Sequence, residues 1–190
     1  PVDHSDDDAL QLLGWTEATA TPQVEVALRH PKVTLIANAL GTPPADMIKH
    51  IHDEGRKVAA LCGSPSQARK HADAGVDIII AQGGEAGGHC GEIGSIVLWP
   101  QVVKEVSPVP VLAAGGVADG AGLAAALALG AEGVLLGTRF LATPESPVPD
   151  GFKRTILESD GHDTLLTELP DIAAGRVWPG AMSRVRRNRF

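Results

Sequence analysis

Short apolar runs recur along the chain from residue 33 onward, and each is followed by a segment with helical signals. Each run ends within two residues of a glycine. Strands that are buried on both faces have this nearly continuous apolar composition. We therefore predict five short strands, at Val33–Leu40, Val58–Leu61, Val76–Ala81, Val109–Ala114 and Gly133–Leu136.

Helices are predicted between and around these strands. Thr42 is expected to cap a helix that begins at the two prolines after it and runs to about Glu54, because Thr favours the N-cap and Pro the first turn. Asp119 or Gly120 is expected to cap another. The remaining predicted helices are Ala9–Trp15, Pro22–His30, Ser64–Gly75, Pro100–Val106, Leu123–Leu129 and Phe152–Glu158. The chain is predicted to form a single domain, with residues 149–190 as a helical C-terminal tail.

This alternation of strand and helix predicts an α/β fold with a parallel sheet covered by helices. Two architectures satisfy the pattern, a doubly wound sheet and a TIM (β/α)8 barrel. In both, ligands bind at the carboxyl ends of the strands. Glycine occurs at all five of those ends in this sequence, so the chain has room for a ligand where either fold would place one.

Composition narrows the classes of partner. The net charge of −7 and pI near 5.4 argue against broad binding to nucleic acid or to anionic membranes. No apolar stretch is long enough to span a bilayer, and residues 1–8 are too acidic for a signal peptide. The two cysteines, Cys62 and Cys90, form no CxxC pair and are expected to be reduced thiols. We therefore expect a cytoplasmic protein.

Two strand ends are candidate phosphate sites. Residues 113–120 read AAGGVADG, and the pair Gly115-Gly116 would free backbone amides to face an anion at the start of a helix. A plain tight turn is an equal alternative for this motif alone. Gly137-Thr138 follows the next strand, and two consecutive loops of this kind form the phosphate site of many barrels. Neither motif is a P-loop or a GxGxxG fingerprint.

The third candidate is the loop after Val76–Ala81, in which His89 lies among six glycines. Its imidazole is suited to general acid or base chemistry near neutral pH. Alternatives are a structural histidine and a metal ligand with Cys90, Glu85 or Glu92. The metal site is the weakest of these, because no second histidine lies at ligand spacing. Adjacent residues rarely form a nucleophile pair, so Cys90 is interpreted as a bystander.

Charged and titratable residues elsewhere are interpreted as surface groups. Four arginines near the end of the chain predict a solvated helix face or a lid over an acidic body, and an anion-contacting patch is the alternative. They are Arg184, Arg186, Arg187 and Arg189. The other histidines are predicted to be exposed: His4, His30, His50, His52, His71 and His162.

With these motifs together, the chain resembles the FMN-dependent nitronate monooxygenases, also called 2-nitropropane dioxygenases. The resemblance covers roughly residues 33–145. It rests on three segments, AQG with EAGGH at 81–89, PVLAAGGVADG at 110–120, and GAEGV continuing to GTRFL at 130–141. It implies a TIM barrel, of which the five predicted strands would be the last five.

The resemblance also implies a cofactor, site residues and a reaction. FMN would bind at the barrel mouth, with its phosphate at Gly115, Gly116, Gly137 and Thr138. Its ribityl chain or ring would lie along Gln82 and the glycines after it, Gly83, Gly87 and Gly88. His89 would match the catalytic histidine, and no metal is implied. The reaction would be oxidation of an alkyl nitronate by O₂ to a carbonyl compound and nitrite.

A sister group shares nearly the same motifs, the flavin-dependent enoyl-acyl-carrier-protein reductases, together with related enzymes that act on CoA esters. Those reductases more often have glutamate where this chain has Gln82, which favours the nitronate group. Either group implies a small-molecule substrate. A third hypothesis of another class is a non-catalytic fragment that binds phosphate or only packs.

Overall fold

The computed structural model describes residues 17–175 and 182–187. Within these ranges no helix is both long and apolar enough to cross a membrane. The helix predicted at Ala9–Trp15 lies outside the described residues, as do His4 and Arg189. The described residues form a five-stranded parallel sheet flanked by helices and a three-stranded antiparallel sheet.

All five predicted strands form one parallel sheet. Its strands are β1 (Leu35–Asn38), β2 (Lys57–Cys62), β3 (Ile78–Gln82), β5 (Val111–Ala114) and β6 (Gly133–Leu135). They pair in chain order, β1-β2-β3-β5-β6, with no reversal. A doubly wound sheet reverses direction at a switch point, whereas a barrel winds one way. The observed order is therefore that of a barrel.

Helices follow the strands. They are α1 (Glu17–Leu28), α2 (Ala45–Asp53), α3 (Pro65–Asp73), α4 (Ser95–Val106), α5 (Gly120–Ala128), α6 (Thr138–Leu141), α7 (Asp150–Glu158) and α8 (Leu169–Ala173). The predicted cap at Asp119 is present, since its carboxylate accepts from the Gly122 amide. Ser64, the predicted start of α3, is the cap of that helix, since its hydroxyl accepts from the Gln67 amide. Helix α4 begins five residues before Pro100, where it was predicted to start, and keeps this proline in its interior.

Alternate residues of the strands face two apolar clusters. Ile79 and Val111 point to the side covered by α2, α3 and α4, where they join Ile48, Ile51 and Leu98 in the main core. The opposite face of the sheet carries a smaller cluster of Ala59, Ile80 and Ala114. Both faces are apolar, which explains why the strands lack a polar alternation.

The cap predicted at Thr42 is wrong. Helix α2 begins at Ala45 and has no side-chain cap. The Thr42 hydroxyl instead donates to Nδ1 of His71 at 2.9 Å, and Nε2 of His71 donates to the Leu61 carbonyl at 3.1 Å. His71, predicted to be exposed, is only 3% exposed, and burial lowers its pKa against the opposing effect of the Leu61 carbonyl. The other described histidines are exposed or half-exposed.

The C-terminal part, predicted as a helical tail, also contains strands. β4 (Gly88–Cys90), β7 (Thr164–Thr167) and β8 (Met182–Arg186) form the antiparallel sheet, in the order β4-β8-β7. Arg184 therefore lies on a strand, half-buried between neighbours, and its interpretation as part of a solvated helix face is wrong.

Candidate active site

The carboxyl ends of three parallel strands lie side by side. Gln82, the last residue of β3, pairs with Ala114 at the end of β5, and Ala114 pairs with Leu135 at the end of β6. The loops that follow these strands therefore leave the same edge of the sheet. This edge brings Gln82 together with Gly115-Gly116 and Gly137-Thr138, which the resemblance to the family places at the cofactor.

The loop between β3 and α4, residues 83–94, is fixed at Glu85. Its Oε2 accepts from both the amide and the hydroxyl of Ser95, each at 2.7 Å. Partial burial opposes the charge on Glu85, but the two Ser95 bonds and the charge of Arg184 outweigh it and lower the pKa of the carboxyl. Glu85 is thus occupied as a helix cap. Among the described residues, no group of three or more His, Cys, Asp or Glu side chains is arranged to hold a metal.

A second attachment holds the same loop at Gly84. The Arg184 guanidinium on β8 donates from Nε to the Gly84 carbonyl at 2.8 Å and from Nη1 to the Thr164 hydroxyl at 3.2 Å. The Cys90 thiol lies 3.6 Å from the same carbonyl. Burial raises the pKa of Cys90 despite the charge of Arg184, and burial raises that of Cys62 to about 12. A raised pKa makes both thiols poor nucleophiles at neutral pH, which agrees with the interpretation of Cys90 as a bystander.

His89 pairs with a carboxylate that the sequence analysis did not identify. On β4, its Nε2 lies 3.0 Å and 2.9 Å from the two carboxylate oxygens of Asp171 on α8. Asp171 is 7% exposed, whereas the side chain of His89 keeps 34% of its surface accessible. The imidazole thus has a buried carboxylate on one side and reaches the surface on the other.

Ser183 is the third member of this group. It faces His89 across the β4–β8 pair, and its hydroxyl donates to Oδ2 of Asp171 at 3.5 Å. Both Ser183 and Asp171 are buried polar residues, which need such partners. A carboxylate flanked by leucine, proline and isoleucine at 169–172 is a weak sequence signal, and nothing local connects it to His89.

Three of the predicted cofactor-binding glycines allow close packing. A Cβ at Gly83 would collide with the backbone and hydroxyl of Ser95, and one at Gly87 would collide with the Thr138 hydroxyl. Gly115 has a φ of +96°, and a Cβ there would lie 2.9 Å from the Gly83 carbonyl oxygen. The histidine loop is therefore packed directly against the ends of β5 and β6.

Other glycines at this edge leave open space. A Cβ on Gly137, Gly88 or Gly120 would have no atom within 4 Å. Within the described residues, the amides of Gly116, Val117 and Ala118 have no hydrogen-bond acceptor. Unpaired amide donors beside glycines with open space suit a phosphate group. The residues present therefore fit the phosphate end of a cofactor such as FMN.

Comparison with known proteins assigns the chain to a family. The family model described as nitronate monooxygenase matches residues 7–182. The chain is 52% identical over 167 residues to "Putative monooxygenase Rv1533" of Mycobacterium tuberculosis, covering 86% of this chain and 44% of that protein. It is 41% identical over 162 residues to a hydroxy-methyl-oxo-octahydroindene-carboxyl-CoA dehydrogenase of the same organism, covering 84% and 45%. The chain thus spans less than half the length of these relatives.

Solved structures agree with the sequence relatives. FabK from Thermotoga maritima superposes with a TM-score of 0.78 at 40% identity, covering 89% of this chain and 51% of FabK. Nitroalkane oxidase from Streptomyces ansochromogenes gives 0.76 at 34% identity, covering 90% and 49%. These neighbours are TIM barrels, and the parallel sheet described above is part of such a barrel, as the sequence predicted. The chain belongs to the nitronate monooxygenase family, with flavin-dependent oxidoreductases among its relatives.

Proposed function

We propose that this chain carries the catalytic histidine and the cofactor-phosphate end of an FMN-dependent oxidoreductase. The enzyme oxidises alkyl nitronates with O₂ to a carbonyl compound and nitrite. The observation that carries this proposal is the contact of His89 with the buried Asp171. The loop that contains His89 is packed against two glycine-rich strand ends. Membership of the nitronate monooxygenase family supports it. We expect the enzyme to act on a small-molecule substrate in the cytoplasm.

We assign different parts of FMN to different residues at the sheet edge. Gly116, Gly137 and Thr138 would hold the phosphate, and Gln82, Gly87 and Gly88 would lie along the ribityl chain or the ring. Gly83 and Gly115 would act by letting the loop pack closely. When bound, FMN supplies the electron transfer, and the protein supplies position and electrostatics.

His89 has two candidate tasks at this site. With a neutral nitroalkane it would take the proton from the carbon next to the nitro group, as a general base. With a nitronate already formed, it would orient the anion. Both tasks need an imidazole that reaches the surface on one side and is held in place on the other, which is how His89 is arranged.

A second candidate function is that of a flavin-dependent reductase or dehydrogenase. Such an enzyme has the same fold and acts on an acyl thioester. The relative at 41% identity is named as a dehydrogenase of a carboxyl-CoA, which favours this class. A third candidate is a non-catalytic segment that binds phosphate or contributes only to packing. The flavin spectrum separates the third candidate from the first two.

The experiment is to purify the protein, record its absorption spectrum, and offer it two substrate classes in parallel. Nitrite release is measured with nitroethane and with propionate-3-nitronate, and NAD(P)H consumption is measured with an enoyl thioester. We expect an oxidised-flavin spectrum and nitrite release that is lost in His89→Ala. Thioester-dependent NAD(P)H consumption without nitrite would replace the proposal by the second candidate. A colourless protein that does not take up added FMN would replace it by the third.

A further inference from the structure

We propose that Asp171 is the positioning residue for His89, and that it holds the imidazole in the form protonated at Nε2. A proton that His89 accepts then goes to Nδ1. The part of this inference that concerns substrate rests on the proposed function, whereas the part that concerns the imidazole does not. No sequence motif points to Asp171, which lies 82 positions from His89.

The geometry fixes which nitrogen carries the hydrogen. Nε2 of His89 lies within 3.0 Å of both oxygens of the Asp171 carboxylate. An ionised carboxylate only accepts hydrogen bonds, so Nε2 must be the donor. A neutral imidazole has one N–H group, and its basic lone pair is therefore on Nδ1.

Burial makes this assignment stable. Asp171 is 7% exposed, and a buried carboxylate stays charged only when it is paired or hydrogen-bonded. Its side-chain partners among the described residues are His89 and the Ser183 hydroxyl, and the latter contact is long at 3.5 Å. His89 is thus the main partner of a largely buried carboxylate. The two groups keep each other in place.

The contacts around His89 indicate that its bond to Asp171 does more than hold two chain segments together. His89 is held at its backbone by the β4–β8 pair, opposite Ser183, and at its ring by a carboxylate from a third element, α8. The side chain of His89 remains 34% exposed, whereas that of Asp171 is 11% exposed. A buried carboxylate behind a histidine that faces substrate is the arrangement that sets tautomer and orientation in acid–base sites.

Proton abstraction from a nitroalkane shows what the arrangement does. The C–H bond next to the nitro group breaks, its electron pair forms the C=N bond of the nitronate, and the proton binds Nδ1 of His89. The resulting imidazolium is balanced by the Asp171 carboxylate. No electron leaves the substrate in this step. A preformed nitronate needs no such step, so the two substrates differ only in their demand for a base.

The first test compares those two substrates. In Asp171→Asn we expect kcat for nitroethane to fall roughly 100-fold, within the range for loss of general base catalysis, while kcat for ethyl nitronate changes by less than about threefold. Asp171→Glu restores the carboxylate and should recover part of the nitroethane rate. Glu168→Gln is the matched control, because it removes an exposed carboxylate from the start of the same helix. The Glu168 backbone carbonyl accepts from the Asp171 amide, but the substitution changes only the side chain, which bonds to neither His89 nor Asp171.

The second test needs neither turnover nor flavin. ¹⁵N–¹H correlation spectra of the His89 ring distinguish the two tautomers. We expect the Nε2-protonated form in the unsubstituted protein. In Asp171→Asn we expect the Nδ1-protonated form to appear, because an asparagine amide can donate to Nε2. The measurement on the unsubstituted protein remains decisive if the variant does not fold.

These outcomes separate the two proposals. An Nδ1-protonated His89 in the unsubstituted protein overturns the role of Asp171, as does an equal loss of both substrate rates in Asp171→Asn with no change of tautomer. If no nitrite is released from either substrate but Nε2 carries the proton and Asp171→Asn changes the tautomer, the nitronate function is wrong and the positioning role stands.

Discussion

Glu85 and Ser95 are joined through a single carboxylate oxygen, which accepts from the amide and the hydroxyl of the serine at 2.7 Å each. The amide belongs to the first residue of α4, so a side chain ten positions upstream serves as the cap of that helix. Glu85 also belongs to the loop that carries His89. The start of the helix and the histidine loop are therefore coupled at this point.

Glu85→Ala should lower the free energy of unfolding at pH 7 by about 1 kcal/mol, the usual cost of losing a cap. The pKa of Glu85 is lower in the folded state than its ordinary value of 4.5, so its contribution is present above pH 4.5 and is lost as the pH falls through the folded-state pKa. Urea unfolding at pH 7 and at acid pH measures both effects. Glu92→Ala, an exposed glutamate of the same loop, should leave stability unchanged.

Gly83→Ala should destabilise the protein by about 2 kcal/mol, because the added methyl group would collide with the backbone of Ser95 and overpack the loop. Gly120→Ala is the matched control, since its Cβ would meet no atom within 4 Å. Thermal unfolding of the two variants checks the difference. Equal melting temperatures would mean that the loop is not packed against α4 as described.

Gly137→Asp should weaken FMN binding at least tenfold, which corresponds to about 1.4 kcal/mol, because it places a negative charge beside the proposed phosphate site. The fold should tolerate it, since Gly137 has space for a side chain and a φ of −111°. Quenching of FMN fluorescence gives the dissociation constant, and thermal unfolding without FMN gives the control. Unchanged affinity would place the phosphate elsewhere.

Neither cysteine should react with a thiol reagent in the folded protein at pH 8. Burial raises the pKa of Cys62 to about 12 and also raises that of Cys90, so the reactive thiolate is scarce at both positions. Both are buried as well. Absorbance with a chromogenic disulfide should report no rapid labelling in buffer and two thiols per chain in urea. Fast labelling of the native protein would contradict the burial of these residues.

The parallel sheet could be predicted from the sequence because its signals are local. Each strand is a short apolar run that ends near glycine, and buried parallel strands require that composition. The start of α4 could not be predicted, since the group that caps it is Glu85, ten positions before the first residue of the helix. The prediction of a cap at Thr42 was wrong because of another distant contact. Its hydroxyl had the right residue type for a cap, but buried His71 provides its partner.

The sequence by itself determined the strand–helix alternation, the glycine-rich strand ends and His89 as the candidate base, because periodicity and conformational freedom are properties of short segments. Only the tertiary structure decided which glycines permit packing and which leave space, and which carboxylate meets His89. Asp171 reaches it from 82 positions away, and Ser183 follows 12 positions later. Such contacts depend on how helices and sheets pack, which no local pattern encodes.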